Sequence, residues 1–200
     1  MAVAGMVAGI LLAAGGGSRL GRPKALVQFD GQTLAERGVA TLRDGGAAPV
    51  LVVCGAVPVA VTGARTVYNP EWETGMGSSL AAGLRAVRDT AADADAVVPD
   101  AVVIALADQP LVGAGAVRRL IAARRDGASV AIAAYDGKPR NPVLIAREHW
   151  PAVLEMATGD TGARPFLRAH PDLVTLVECG DTGRPDDIDT AEDLARITGL

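Results

Sequence analysis

Two uninterrupted apolar runs, GILLAA at residues 9–14 and AVVIAL at residues 101–106, constrain the fold most. A strand with one wet face alternates apolar and polar residues. A strand apolar at every position must be covered on both faces, and such strands belong to parallel sheets sandwiched between helices. The rest of the sequence alternates accordingly. Strands are expected over 7–13, 50–54, 65–68, 101–106, 129–135, 142–145 and 173–177, each a short apolar run bounded by turn residues. Helices are expected over 33–44, 78–89, 113–126, 148–156, 163–169 and 190–197. The first has Thr33 with Glu36 three residues on, which is capping-box spacing. The second carries Leu80, Leu84 and Val87 on one face. The acidic, alanine-rich stretch 89–95 reads as a helix end or loop. The pattern predicts one α/β domain over residues 1–200, a Rossmann-like three-layer fold with a mostly parallel sheet.

In such a sheet ligands sit outside the carboxyl ends of the strands, so chemistry is sought there. After the first strand comes Gly15-Gly16-Gly17-Ser18-Arg19-Leu20-Gly21-Arg22-Pro23-Lys24. Gly15 and Gly17 fit a dinucleotide fingerprint, but Leu20 stands at its third glycine. Gly16 and Gly21 have P-loop spacing, but Arg22-Pro23-Lys24 follows in place of Lys-Ser/Thr. Both templates fail, yet the ingredients of phosphate binding remain. Glycines let backbone N–H groups approach anionic oxygens, Arg19 can grip a phosphate with two N–H groups, and Lys24 adds a point charge. After AVVIAL comes Asp108, placed to ligate Mg²⁺ if a triphosphate lies near, or else simply to open a turn before Pro110.

Three further stretches stand out. Residues 69–80, NPEWETGMGSSL, lead from loop to helix. Ser78 or Ser79 can cap that helix, Gly75 and Gly77 allow close backbone approach, and Trp72 is expected as a core anchor. Residues 159–164, GDTGAR, put Asp160 and Arg164 at a turn into a helix, where an anion can bind. Asp186, Asp187, Asp189, Glu192 and Asp193 crowd the last helix; some cap it, while an Asp of this block, Asp187 or Asp189, can share a metal with Asp108. Without a cation between them two such carboxylates would repel.

Composition excludes several classes. A formal net charge of −4 and 3% aromatic residues argue against a nucleic-acid binder. Cys54 and Cys179 are distant and lack a C-x-x-C, so they read as small buried hydrophobes and not as a zinc site or disulfide. His149 and His170 lack the company of a catalytic triad and are expected at the surface. Residues 1–17 hold no Lys or Arg, which argues against a secretory signal, and no stretch reaches membrane-spanning length. A cytoplasmic protein is expected.

Taken together, these motifs resemble those of the MobA-like nucleotidyltransferases. LLAAGGGSRLGRPKAL is similar to their L-A-A-G-x-S/G-x-R-M/L-G-x-x-K signature, and NPEWETGMGSSL to their N-x-x-W-x-x-G-M-x-x-S-L segment. LADQP, RNPVLI, GDTGAR and DIDTAEDL resemble the later D-x-P, R-G-x-P-V, G-D-x-G-A-R and D-I-D-T-P-E-D-L blocks, in family order. Gly77, Asn141 and Ala191 depart from the pattern. Ala14, keeping L-A-A-G, resembles the cytidylyl branch more than the guanylyl one.

The resemblance implies a nucleotide-diphospho-sugar-transferase-like fold and transfer of CMP from CTP to a phosphate on molybdopterin, with Mg²⁺ as cofactor. It implies Arg19, Lys24 and Asp108 in catalysis, and Asp108 with Asp189 on the metal. Leu12, Ala13, Ala14, Gly15, Gly17, Ser18, Arg19, Lys24, Gly75, Ser78 and Ser79 would hold the nucleotide. Arg140, Asn141, Asp160 and Arg164 would hold the acceptor. An apo molybdenum hydroxylase is the implied protein partner. Two other readings stand beside it: a nucleotidyltransferase acting on a sugar phosphate or other small phosphate, and a non-catalytic carrier of the cofactor.

Overall fold

A computed structural model describes residues 5–90 and 97–198. The expected helix end or loop over 89–95 lies, from residue 91, outside the described residues. A seven-stranded sheet is built from β1 (Val7–Leu12), β4 (Val50–Cys54), β5 (Arg65–Tyr68), β6 (Ala101–Leu106), β7 (Val130–Tyr135), β8 (Lys138–Ala146) and β9 (Val174–Glu178). A separate small hairpin holds β2 (Gln28–Phe29) and β3 (Gln32–Thr33). The helices are α1 (Leu34–Asp44), α2 (Met76–Asp89), α3 (Ala114–Arg125), α4 (Trp150–Met156), α5 (Arg164–Ala169) and α6 (Ala191–Thr198). The sheet order is β5-β4-β1-β6-β8-β7-β9, and β8 is its antiparallel strand.

Residue alternation divides the core into two layers. Ala8, Ile10, Val102 and Ile104 point to one face, where Leu80, Leu84 and Val87 of α2 meet Trp150, Val153 and Phe166. Val7, Leu11, Val103 and Ala105 point to the other, against Val39 and Leu42 of α1 and Val117 and Leu120 of α3. Every residue of β1 and β4 is buried, as strands covered on both sides require. The capping box of α1 forms as expected: the Glu36 amide donates to Thr33 Oγ1 (3.2 Å), and the Thr33 amide donates to Glu36 Oε2 (2.7 Å). Cys54 and Cys179 are buried free thiols.

Three expectations need correction. The strand expected over 142–145 is the longer β8, and it runs back beside β7. The cause is a two-residue turn, Asp136-Gly137, with φ of 52° and 72°. Positive φ at both central residues matches the twist of the flanking strands and closes a tight hairpin. Next, α2 begins at Met76 with Gly75 as its N-cap, and no side chain caps it. Ser78 and Ser79 therefore lie inside the helix. Ser78 Oγ donates to the carbonyls of Glu71 (2.8 Å) and Gly75 (2.9 Å). Asn69 Nδ2 donates to both serine hydroxyls, at 2.9 and 3.0 Å. Finally, His149 and His170 are half-buried, flanking the ring of Phe166 at 5.7 and 4.8 Å between centroids.

A satellite core positions the site. Ile188, fully buried, packs with Val27, Phe29 and Leu34, and partly buried Leu20, Leu111, Leu194 and Ile197 close around them. This cluster locks the segment before α6 onto the loop after β1. Truncating Ile188 to Ala should lower stability by about 2–5 kcal/mol, the range for a large buried aliphatic side chain. Denaturant unfolding would measure it, and a loss under about 1 kcal/mol would mean that the segment is not anchored there.

Candidate active site

The cavity opens at the carboxyl ends of β1 and β6. It encloses about 540 Å³, within the range of small-molecule sites. The adjacency of the two strands sets its floor: the Ala107 amide donates to the Leu12 carbonyl (3.1 Å). Leu12, Ala13, Ala14 and the three glycines line one wall, and Ala107 and Asp108 the other.

The loop after β1 folds back on itself at Gly17, where φ is 64°. A Cβ there would lie 2.0 Å from the Arg22 carbonyl oxygen, so glycine is required on both counts. The chain returns through Pro23 into a 3₁₀ turn, Lys24–Leu26, closed by the Val27 amide on the Lys24 carbonyl (3.0 Å). Lys24 is thereby aimed back into the cavity.

Lys24 Nζ donates to Asp108 Oδ2 (2.8 Å) and to Asp189 Oδ1 (2.5 Å). Arg19 Nη2 lies 3.0 Å from Asp189 Oδ2. Residues 84 and 165 positions apart from Lys24 in the chain thus converge on one ammonium. Backbone holds the two carboxylates together as well, since the Ile188 amide donates to the Asp108 carbonyl (2.8 Å). The expected repulsion between Asp108 and Asp189 is therefore relieved by the lysine itself. Burial pulls the Lys24 pKa down, but Asp108 and Asp189 more than offset this and leave it raised. The hydrogen bond from Lys24 holds the Asp189 carboxyl below its usual range, with Arg19 assisting. Both shifts keep the Lys24–Asp189 pair charged at neutral pH. Asp187, the reserve candidate, turns instead to Gln109, whose Nε2 donates to its Oδ1 (2.8 Å).

Trp72, Glu73, Gly75, Met76, Ser79 and Asp160 complete the lining. Trp72 is a correction: it is half-buried and walls the cavity instead of anchoring the core. Its side chain leaves Gly55, where a Cβ would fall 2.3 Å from the Trp72 Cβ. Its ring reaches Gly16, where a Cβ would lie 3.3 Å from the indole. Glycine at both places leaves room for the tryptophan side chain. Gly75 and Gly77 also allow close approach, but to the protein's own backbone. Their absent side chains are replaced by the chain at Ala157–Asp160, with atoms 2.4 to 2.8 Å from the positions a Cβ would take. This contact brings Asp160 to the cavity.

Most of the residues expected at the site line this cavity: Leu12, Ala13, Ala14, Gly15, Gly17, Ser18, Arg19, Lys24, Gly75, Ser79, Asp108, Asp160 and Asp189. Ser78, Arg140, Asn141 and Arg164 do not. Arg140 and Asn141 lie in the first half of β8, whose antiparallel course carries them to the same end of the sheet, one strand beyond the cavity. Arg164 is exposed at the start of α5. Sequence reasoning missed Gly16, Ala25, Glu73, Met76, Leu106 and Ala107 as lining residues and misjudged Trp72. Gly55 opposite Trp72 was the available signal, since a glycine after a buried strand admits a bulky neighbour.

The model of the MobA-like NTP transferase domain matches residues 9–174. The chain belongs to that family. This MobA-like domain is 40% identical over 205 residues to nicotine blue oxidoreductase of Paenarthrobacter nicotinovorans, covering 96% of each chain. Its fold is similar to the crystal structure of the Mycobacterium tuberculosis Rv0371c homologue from Mycobacterium sp. strain JC1. The TM-score is 0.79 at 28% identity, over 96% of this chain and 95% of that one. It is also similar to 2-C-methyl-D-erythritol 4-phosphate cytidylyltransferase of Thermus thermophilus. Here the TM-score is 0.67 at 25% identity, over 98% of each chain. The nucleotide-diphospho-sugar-transferase-like α/β fold expected from the sequence is thus the fold observed. Among the described residues no helix is long and apolar enough to cross a membrane.

Proposed function

We propose that this domain transfers CMP from CTP to a phosphate group on a molybdopterin-type acceptor and releases pyrophosphate. The observation that carries the reading is the convergence of Lys24 and Arg19 on Asp108 and Asp189 at the mouth of a glycine loop. A phosphate oxygen of the acceptor attacks the α-phosphorus, and the bond from that phosphorus to the bridging oxygen breaks. The attacking oxygen is already ionised at neutral pH, so no general base is required. Arg19 and Lys24 would neutralise the charge that grows on the triphosphate oxygens, while loop amides orient it.

The residues fit a divalent cation. Asp108 Oδ1 is buried and accepts no hydrogen bond among the described residues. Asp189 stands within reach of the same lysine. A pair of carboxylates suits Mg²⁺, an ion that takes one or two carboxylates and completes its shell with phosphates and water. Bound there, it would supply charge stabilisation to the departing pyrophosphate. Asp160 is proposed on the acceptor side of the cavity, with Arg140, Asn141 and Arg164 beyond it. An apo molybdenum hydroxylase is the proposed recipient of the product.

Ala14 supports CTP as the donor, because its methyl narrows the pocket where a guanine-preferring relative has hydrogen. CTP should turn over faster than GTP, and Ala14→Gly should relax the preference. Pyrophosphate release with each nucleoside triphosphate, with and without a pterin phosphate, measures both. Faster turnover of GTP by the unaltered protein would overturn the assignment.

A second reading has one observation in its favour: the 40% identical relative is named an oxidoreductase. On that reading the cavity would hold an aromatic substrate beside Trp72, and a nicotinamide cofactor would supply hydride. Leu20, at the place of the third fingerprint glycine, opposes it. Consumption of NADH or NADPH with an aromatic dye, and no pyrophosphate from any nucleotide, would favour the second reading over the first.

A further inference from the structure

Lys24 occupies the space between the two carboxylates to which the proposed function assigns a metal ion. Its ammonium lies within hydrogen-bond distance of both carboxylates that the proposed function gives to Mg²⁺. An ammonium and a divalent cation cannot share that space.

Backbone contacts hold the two carboxylate-bearing segments side by side independently of the lysine. Asp108 follows β6 directly. Asp189 follows Ile188, whose amide is bonded to the Asp108 carbonyl and whose side chain is fully buried. The Lys24 backbone is fixed too, by its 3₁₀ turn and by buried Ala25 behind it. What remains free is the four-carbon stem of the lysine, which can swing about its own bonds while both carboxylates stay in place.

Charge balance gives that swing a direction. In the free protein two carboxylates face Lys24 and Arg19, which is neutral. A divalent cation added to the same four groups raises their sum by two positive charges and strands the lysine beside a doubly charged ion. The strain disappears if a triphosphate arrives with the metal, because its oxygens take up the released ammonium.

We propose that Lys24 is a resident counter-ion, which holds the metal position between Asp108 and Asp189 in the free protein and hands it over only when nucleotide phosphates receive the ammonium. Divalent metal alone then binds weakly, and metal and nucleotide bind cooperatively. The proposal rests on the reading of Asp108 and Asp189 as the metal pair.

Mn²⁺ binding tests it without catalysis. Free Mn²⁺ is followed by electron paramagnetic resonance during titration of the full chain, alone and with α,β-methylene-CTP. Lys24→Met should bind Mn²⁺ alone more tightly than the unaltered protein, on the order of tenfold or more, because a like charge is removed from contact with the ion. The analogue should tighten Mn²⁺ binding by the unaltered protein and do much less for the variant. Lys24→Gln, which keeps a donor to the carboxylates without the charge, should behave as Lys24→Met does. It provides the test if the methionine variant fails to fold. Asp108→Asn should abolish the tight site. If the lysine variants bind Mn²⁺ no more tightly while Asp108→Asn still abolishes binding, the counter-ion proposal is overturned and the metal pair stands. If Asp108→Asn leaves Mn²⁺ binding unchanged, the metal pair falls and the proposal falls with it.

Discussion

Lys24→Ala should lower turnover on the order of 100-fold or more while leaving the protein folded. The rate effect follows from the loss of a preorganised cation at the position where negative charge builds up on the triphosphate. The stability effect is set by what the lysine touches in the free protein. A solvated surface lysine would cost under about 0.5 kcal/mol. Lys24 instead separates two carboxylates, and its own side chain is only 20% exposed. Its removal leaves Asp108 and Asp189 facing each other, with Arg19 on one of them. A loss of about 1–3 kcal/mol is expected in metal-free buffer. Mg²⁺ should restore much of it, because the ion resolves the same repulsion. Single-turnover kinetics and melting curves with and without Mg²⁺ measure the two effects separately. An unchanged rate constant would make the lysine a structural counter-charge with no part in transfer.

The sequence revealed the sheet where burial is uniform and hid it where neighbours decide. β1, β4 and β6 are apolar throughout because both faces are covered, and their limits were legible to within a residue. The capping box of α1 was legible because every partner lies within four residues. β8 was not, since an apolar run gives no direction; the Asp-Gly pair at residues 136–137 carried the missing signal, as the like pair Asp30-Gly31 did for the β2–β3 hairpin. Lys24, Asp108 and Asp189 could be singled out as chemistry at strand ends. That the lysine would rest between the carboxylates could not, because the contact joins the first loop to the last. The same limit applies to Gly75 and Gly77. Glycine announces close approach but not what approaches, and here the visitor is the backbone of residues 157–160. Trp72 was misjudged because burial of a large aromatic is the common case, and only the paired glycines at 16 and 55 place it on a cavity wall.

Asp108→Asn should separate a metal ligand from a turn residue. The amide keeps the shape of the carboxyl group and can still accept from Lys24, which retains Asp189 as its charged partner. The Asp108 carbonyl, bonded to the Ile188 amide, is untouched. The free variant should therefore melt within about 1 kcal/mol of the unaltered protein, as side-chain changes that leave the backbone network intact usually do. The ligand-bound state should differ far more. The amide carries no charge and is a poor ligand for a hard cation, so a metal held by Asp108 would lose its charged ligand at the end of β6. At a Mg-CTP concentration a hundred times its Kd, the unaltered protein should gain about 2.7 kcal/mol. The variant should gain much less, and its metal-dependent turnover should fall on the order of 100-fold or more. Thermal melts with Mg²⁺ alone, CTP alone and both together identify the source of the difference. The shortfall should be confined to the combination, since CTP without metal still meets Arg19 and the loop amides. Equal gains in the two proteins would make Asp108 the opening residue of a turn and put the metal elsewhere.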